Sequence, residues 1–133
     1  MFKKNWILAG LGAAVLAAAT VPLAAQAADD VLHTGQFDGA SGHVTSGGVS
    51  VVQTDNGIEI VFADDFFFDG APDPHVAFGA NGSVDISTEL GLLTSNTGSQ
   101  TYQVPASLDV SGYNEIYVWC VQYSVPLGVA ALQ

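Results

Sequence analysis

From Val31 onward the apolar residues come in short segments, each cut off by Gly, Ser, Asn or Asp, and no segment sustains a helical period. That punctuation restricts the chain to strands and turns, because a strand buries a face with a few alternating residues whereas a helix needs a stripe repeated over several turns. The densest run, Tyr117 to Leu132, sets Tyr117, Trp119, Val121 and Tyr123 in alternation with Ile116, Val118 and Cys120. Residues of this kind favour a pleated surface, so the run predicts a strand with at least one buried face, stopped by Pro126 and Gly128.

The remaining segments repeat the theme. Val31 to Phe37 reads as a first strand, followed by a turn over Asp38-Gly39-Ala40-Ser41-Gly42, and His43 to Thr54 as an extended region broken at Ser46-Gly47-Gly48. Asn56-Gly57 between alternating runs predicts a hairpin into Ile58, Ile60 and Phe62, since both residues tolerate positive φ. Phe66-Phe67-Phe68 points to both sides of any strand, so that segment is covered twice or wraps an edge. Pro72 and Pro74 set a rigid corner around Asp73, Asn81-Gly82-Ser83 is a further turn, and Gln100 to Val104 is a strand ended by Pro105. The expected fold class is all-β: a single β-sandwich or barrel-like domain of short, mainly antiparallel strands.

The chain opens differently. Lys3 and Lys4 precede an apolar run from Trp6 to about Ala19 and the small-residue site Ala25-Gln26-Ala27, the three parts of a secretory signal peptide. The run is shorter than the roughly 20 residues of a membrane-spanning helix. The expectation is therefore a signal peptide over 1–27 and one β domain over 28–133, secreted or periplasmic, without a stable membrane anchor after cleavage. Both basic residues are lost with the signal, and losing two positive charges takes the formal net charge of −11 to −13. Such a surface repels nucleic-acid phosphates and anionic lipid headgroups, and favours a basic protein or redox partner. One cysteine forms no internal disulfide, so burial alone must stabilise the domain.

Cys120 is the residue on which chemistry is expected. A reactive cysteine works as thiolate and needs a cation, a helix amino terminus or a metal nearby. Beyond the signal only His33, His43, His75 and a new amino terminus offer positive charge, which counts against a bare nucleophile and leaves a thiolate held by a metal or haem iron. His43 and His75 are then candidate co-ligands, although none of the histidines has the three- or four-residue spacing of a helical metal pair. Against this stands Cys120 as a small apolar core residue, the commonest state of a free cysteine. Asp64, Asp65, Asp69 and Asp73 cluster in one stretch and could offer calcium oxygen ligands, though their spacing is not that of an EF-hand loop. No Gly-x-Ser-x-Gly elbow, Cys-x-x-Cys-His or phosphate-cradling glycine loop is present, so an electron-transfer or binding module is expected over a self-sufficient enzyme.

Gly35-Gln36-Phe37, Ser41-Gly42-His43-Val44, the Phe-rich strand, Pro72-Asp73-Pro74-His75-Val76, Tyr102-Gln103-Val104-Pro105, Val118-Trp119-Cys120 and Tyr123 to Leu132 together carry a resemblance, through their order and spacing. The chain resembles the DM-thirteen domain, an extracytoplasmic β-rich module found in bacteria and, beside DOMON domains, in animal proteins. The resemblance implies an all-β domain with an electron-transfer or redox role centred on the cysteine of the Trp-Cys pair, here Cys120 beside Trp119, as free thiol or as ligand to haem or a metal. His43 and Asp73 fall in matched motifs. The lack of Lys and Arg beyond the signal departs from what haem propionates would require. Two other classes stand beside this reading: a passive adhesion or scaffold module with Cys120 as buried core, and a calcium-dependent binding domain using the aspartate stretch.

Overall fold

The computed structural model describes residues 29–133, and the signal-peptide expectation lies outside them. Ten strands run β1 (Asp30–Gly39), β2 (Thr45–Ser46), β3 (Gly48–Thr54), β4 (Gly57–Phe62), β5 (Phe67–Phe68), β6 (Pro74–Ala80), β7 (Ser83–Val84), β8 (Gln100–Gln103), β9 (Glu115–Cys120) and β10 (Val125–Leu132). A single 3-10 turn, Ile86–Thr88, follows β7. Eight strands form one antiparallel sheet in the order β7-β6-β9-β10-β1-β3-β4-β8, and β2 and β5 pair separately. The fold is all-β, and the sheet curls into a half-barrel, the barrel-like form of the two expected. Among the described residues no helix is long and apolar enough to cross a membrane.

The curled sheet encloses an aromatic core. Phe62, Phe66, Phe68 and Phe78 are fully buried with Ile60, Ile116 and Leu127. The Phe37, Phe62 and Phe66 rings meet at tilted or edge-on angles with centroids 4.7 to 5.5 Å apart, the arrangement aromatic quadrupoles prefer. Within the Phe-rich stretch, Phe66 and Phe68 enter the core while Phe67 stays 43% exposed, so it does point to both sides.

Two turns differ from expectation. The Asn56-Gly57 hairpin forms, but only Gly57 takes positive φ, at 112°, and Thr54 pairs with Gly57. Both residues are left-handed instead at Asn81 (φ 54°) and Gly82 (φ 85°), joining the Ala80–Ser83 pair that starts β7, as a primed two-residue turn requires. The strand through Cys120 ends earlier than the alternation suggested. The chain turns at residues 121–124, with Ser124 at φ 53°, and Pro126 and Gly128 lie inside β10. A register shift between Pro126 and Gly128 absorbs the proline, which a central strand tolerates only at such a bulge. Gly128 also passes so close to Thr45 that a Cβ would lie 2.6 Å from its Cγ2.

β10 is the joint of the sheet. It pairs with β9 on one side and β1 on the other, so it alone links the β7-β6-β9 half to the β1-β3-β4-β8 half.

Candidate functional site

The alternation of β9 sorts its side chains. Ile116, Val118 and Cys120 belong to the core cluster, which leaves Glu115, Tyr117 and Trp119 on the outer face. On the neighbouring β6, Val76 and Phe78 face the core, and His75, opposite Trp119 in register, lies on the outer side. Cys120 and His75 are thus close along the ladder but separated by the sheet.

Cys120 is 1% exposed. Its Sγ donates to the Pro72 carbonyl at 3.2 Å and accepts from the Tyr123 amide at 3.4 Å. Both partners come from the chain that closes the end of the strand. The Asp73 corner, left-handed at φ 57° before Pro74, takes the Val121 amide on its carbonyl at 3.2 Å, and the 121–124 turn folds back over the sulfur. Aspartate is one of the few residues that adopt this φ readily, and the following proline makes the bend rigid. The expected corner is therefore present, and its task is to cover Cys120.

The histidines are placed elsewhere. His43 Nδ1 bonds Asp69 Oδ1 at 2.8 Å, and the other oxygen of Asp69 accepts from the Val44 amide at 3.0 Å. The Val44 amide and then His43 hold the Asp69 carboxyl below the usual aspartate value. His75 is bracketed by two carboxylates, Asp73 Oδ1 at 2.8 Å from Nε2 and Glu89 Oε1 on Nδ1. Burial pulls the imidazole pKa down, and the hydrogen bonds to Glu89 and Asp73 outweigh it, so the value is raised and the charged form favoured. His33 sits on β1 and is exposed.

The candidate ligands are not brought together. Among the described residues no group of His, Cys, Asp or Glu assembles that could hold a metal ion. Cys120 Sγ is turned to the core with a donor and an acceptor already in place, His75 is across the sheet, and His43 is engaged by Asp69. This donor set does not fit a resident haem or metal centre. The aspartate stretch is likewise divided: Asp64 is exposed, Asp65 accepts the Gly48 amide at 2.9 Å, Asp69 serves His43 and Val44, and Asp73 serves His75. The four do not converge on a calcium site.

Residues 36–132 match the family described as Electron transfer DM13. The chain belongs to the DM13 family. No curated protein and no solved structure matches it. Membership of an electron-transfer family ties this DM13 domain to a redox-linked role at a general level.

Sequence reasoning missed Glu89, Glu115 and the pairing of Tyr117 with Trp119. Tyr117 is buried against Gly79, where a Cβ would lie 2.4 Å from the ring, and its edge-on contact with Trp119 spans 6.3 Å. Its hydroxyl donates to Glu115 at 3.1 Å, and burial, then Glu115, push its pKa up to about 12. The every-second-residue spacing of Glu115, Tyr117 and Trp119 was the available signal. Nothing local to Glu89 marks it as a partner of His75.

Proposed function

We propose that this DM13 domain is an extracytoplasmic redox-linked module whose redox residue is Cys120, used as a free thiol and not as a metal or haem ligand. The observation that carries the reading is the position of the sulfur under one short turn. Sγ is buried, yet one side of its cover is the four-residue segment 121–124, whose Val121 and Tyr123 are 38% and 62% exposed. Such a turn opens at a lower free energy than the sheet, since little apolar area is lost when it lifts. The signal-like amino end and the acidic composition support export and a basic partner, steered by charge. Trp119, adjacent in sequence and half-buried on the opposite face, is the aromatic group nearest to the thiol along β9.

The test is the rate at which a chromogenic thiol reagent labels native Cys120, followed against denaturant, with glutathione disulfide as a second reagent and mass as readout. Labelling well below the unfolded-chain rate, but faster than global unfolding permits and insensitive to low denaturant, is the expected outcome. The second reading, a passive adhesion or scaffold module, is favoured by the 1% exposure of Cys120. It requires labelling at the global unfolding rate, and that result would replace the redox reading. Export is checked on the secreted protein, whose first residue is expected to be Ala28; an intact Met1 end in the cell pellet would refute it.

A further inference from the structure

The outer face of β9 holds a groove that the Cys120 reading does not use. Its volume is about 490 Å³, within the range of ligand sites, and Tyr117, Trp119, Val84, Pro126 and Val129 give it apolar walls with Glu115 beside them. The Glu115 carboxylate accepts from the Gly82 amide at 3.0 and 3.1 Å and from the Tyr117 hydroxyl at 3.1 Å. Both donors are neutral. The ion pairs among the described residues are those of His43 and His75, and residues 28–133 contain no Lys or Arg, so the Glu115 charge has no cationic partner among the described residues.

These properties select a ligand class. An anion is repelled by Glu115 and by the field of the whole domain. A neutral apolar ligand would strip water from a carboxylate and give it nothing in return. A cation on an alkyl stem satisfies both parts: the stem lies on the apolar walls, and the charge meets the indole and the carboxylate. We propose that this groove is the docking site for a lysine or arginine side chain of a basic partner protein, seated against Trp119 and Glu115. The inference rests on the basic-partner part of the reading above and is independent of its redox part.

The experiment uses the exported protein and a peptide of alternating arginine and glycine, with the citrulline version as the neutral control. Trp119 fluorescence reports the contact directly, because the only other tryptophan, Trp6, lies in the expected signal. Saturable binding is expected for the arginine peptide and none for citrulline. Glu115→Gln should weaken it about tenfold, in line with a partly desolvated cation contact. Ser83→Arg, from an exposed groove-lining position, should block it as strongly without touching the Glu115 hydrogen bonds, which keeps the test valid if Glu115→Gln loosens the hairpin. Asp55→Asn, on the β3–β4 turn, should change affinity less than twofold, about 0.4 kcal/mol. If all three substitutions weaken binding equally, the attraction is diffuse and the groove is not the site. If the arginine peptide does not bind at all, the basic-partner reading fails with it. Methylguanidinium binding as tightly as the peptide would assign the groove to a small free cation and overturn the partner-docking proposal.

Discussion

Gly79 shows how far a single side chain is constrained on the outer face. A Cβ there would meet the Tyr117 ring at 2.4 Å and the Ser83 carbonyl at 2.5 Å, and the second is backbone that cannot swing aside. Gly79→Ala is therefore expected to cost about 1–3 kcal/mol, as overpacking does, and to lower the denaturant midpoint while detaching the β6–β7 hairpin. Gly82→Ala, with nothing within 4 Å of its Cβ, meets no clash and strains the chain only through its φ of 85°. The face on which Cys120 lies was legible in the alternation of β9; its burial was not, because the cover comes from Pro72 and from residues past the end of the strand. Glu115, Tyr117 and Trp119 were equally legible as one stripe, whereas what the stripe is for depends on a hairpin more than thirty positions away in sequence. Pro126 misled for a physical reason: a proline stops a regular ladder, and the bulge beside it removes that objection.

At the scale of elements, His75 ties the Asp73 corner to the segment after the 3-10 turn. Its pKa in the folded protein lies above the ordinary 6.5. A group raised on folding binds its proton more tightly in the native state, so its contribution is fully present below about pH 6.5 and is lost as pH rises through the folded value. The groups facing it are Asp73 and Glu89, with Trp119 opposite on β9 and Leu92 bridging on the other side. Urea midpoints at about pH 5.5 and 8.5 should show the protein more stable at the lower value, and His75→Gln should remove that difference. Equal pH slopes in the two proteins would show that His75 is not the source. Asp69 has the opposite sign: its lowered pKa makes a contribution present above the ordinary 3.8 that fades as pH falls through the folded value, outside the window used for His75. The corner itself was legible from its two prolines. The imidazole that braces it was visible only as a histidine, since Glu89 arrives through an irregular segment with no period to read.

For the whole molecule, all-β character was evident from punctuation and alternation, and a barrel-like form was one of the two forms expected; the choice between it and a sandwich was not legible, because strand order is set by contacts between residues far apart in sequence. The core is a continuous aromatic and aliphatic cluster with its one cysteine unpaired. Reductant should leave the melting temperature unchanged, since the single thiol is bonded to no other sulfur in the fold. A reductant-sensitive melt would mean that Cys120 is joined to something in the native protein.

The placement of β10 has a consequence for how such a domain is made and used. Thr34 and Gln133 exchange backbone hydrogen bonds at 2.9 and 3.2 Å, so the beginning and end of the sheet leave through one doorway. A chain emerging amino end first from a ribosome or an export channel holds two unfinished half-sheets until β10 arrives, each with a raw edge open to aggregation. Closure of the sheet therefore waits on β10. Once closed, the shared doorway lets the domain be threaded into a surface loop of a larger protein, like a bead whose cord enters and leaves at one hole.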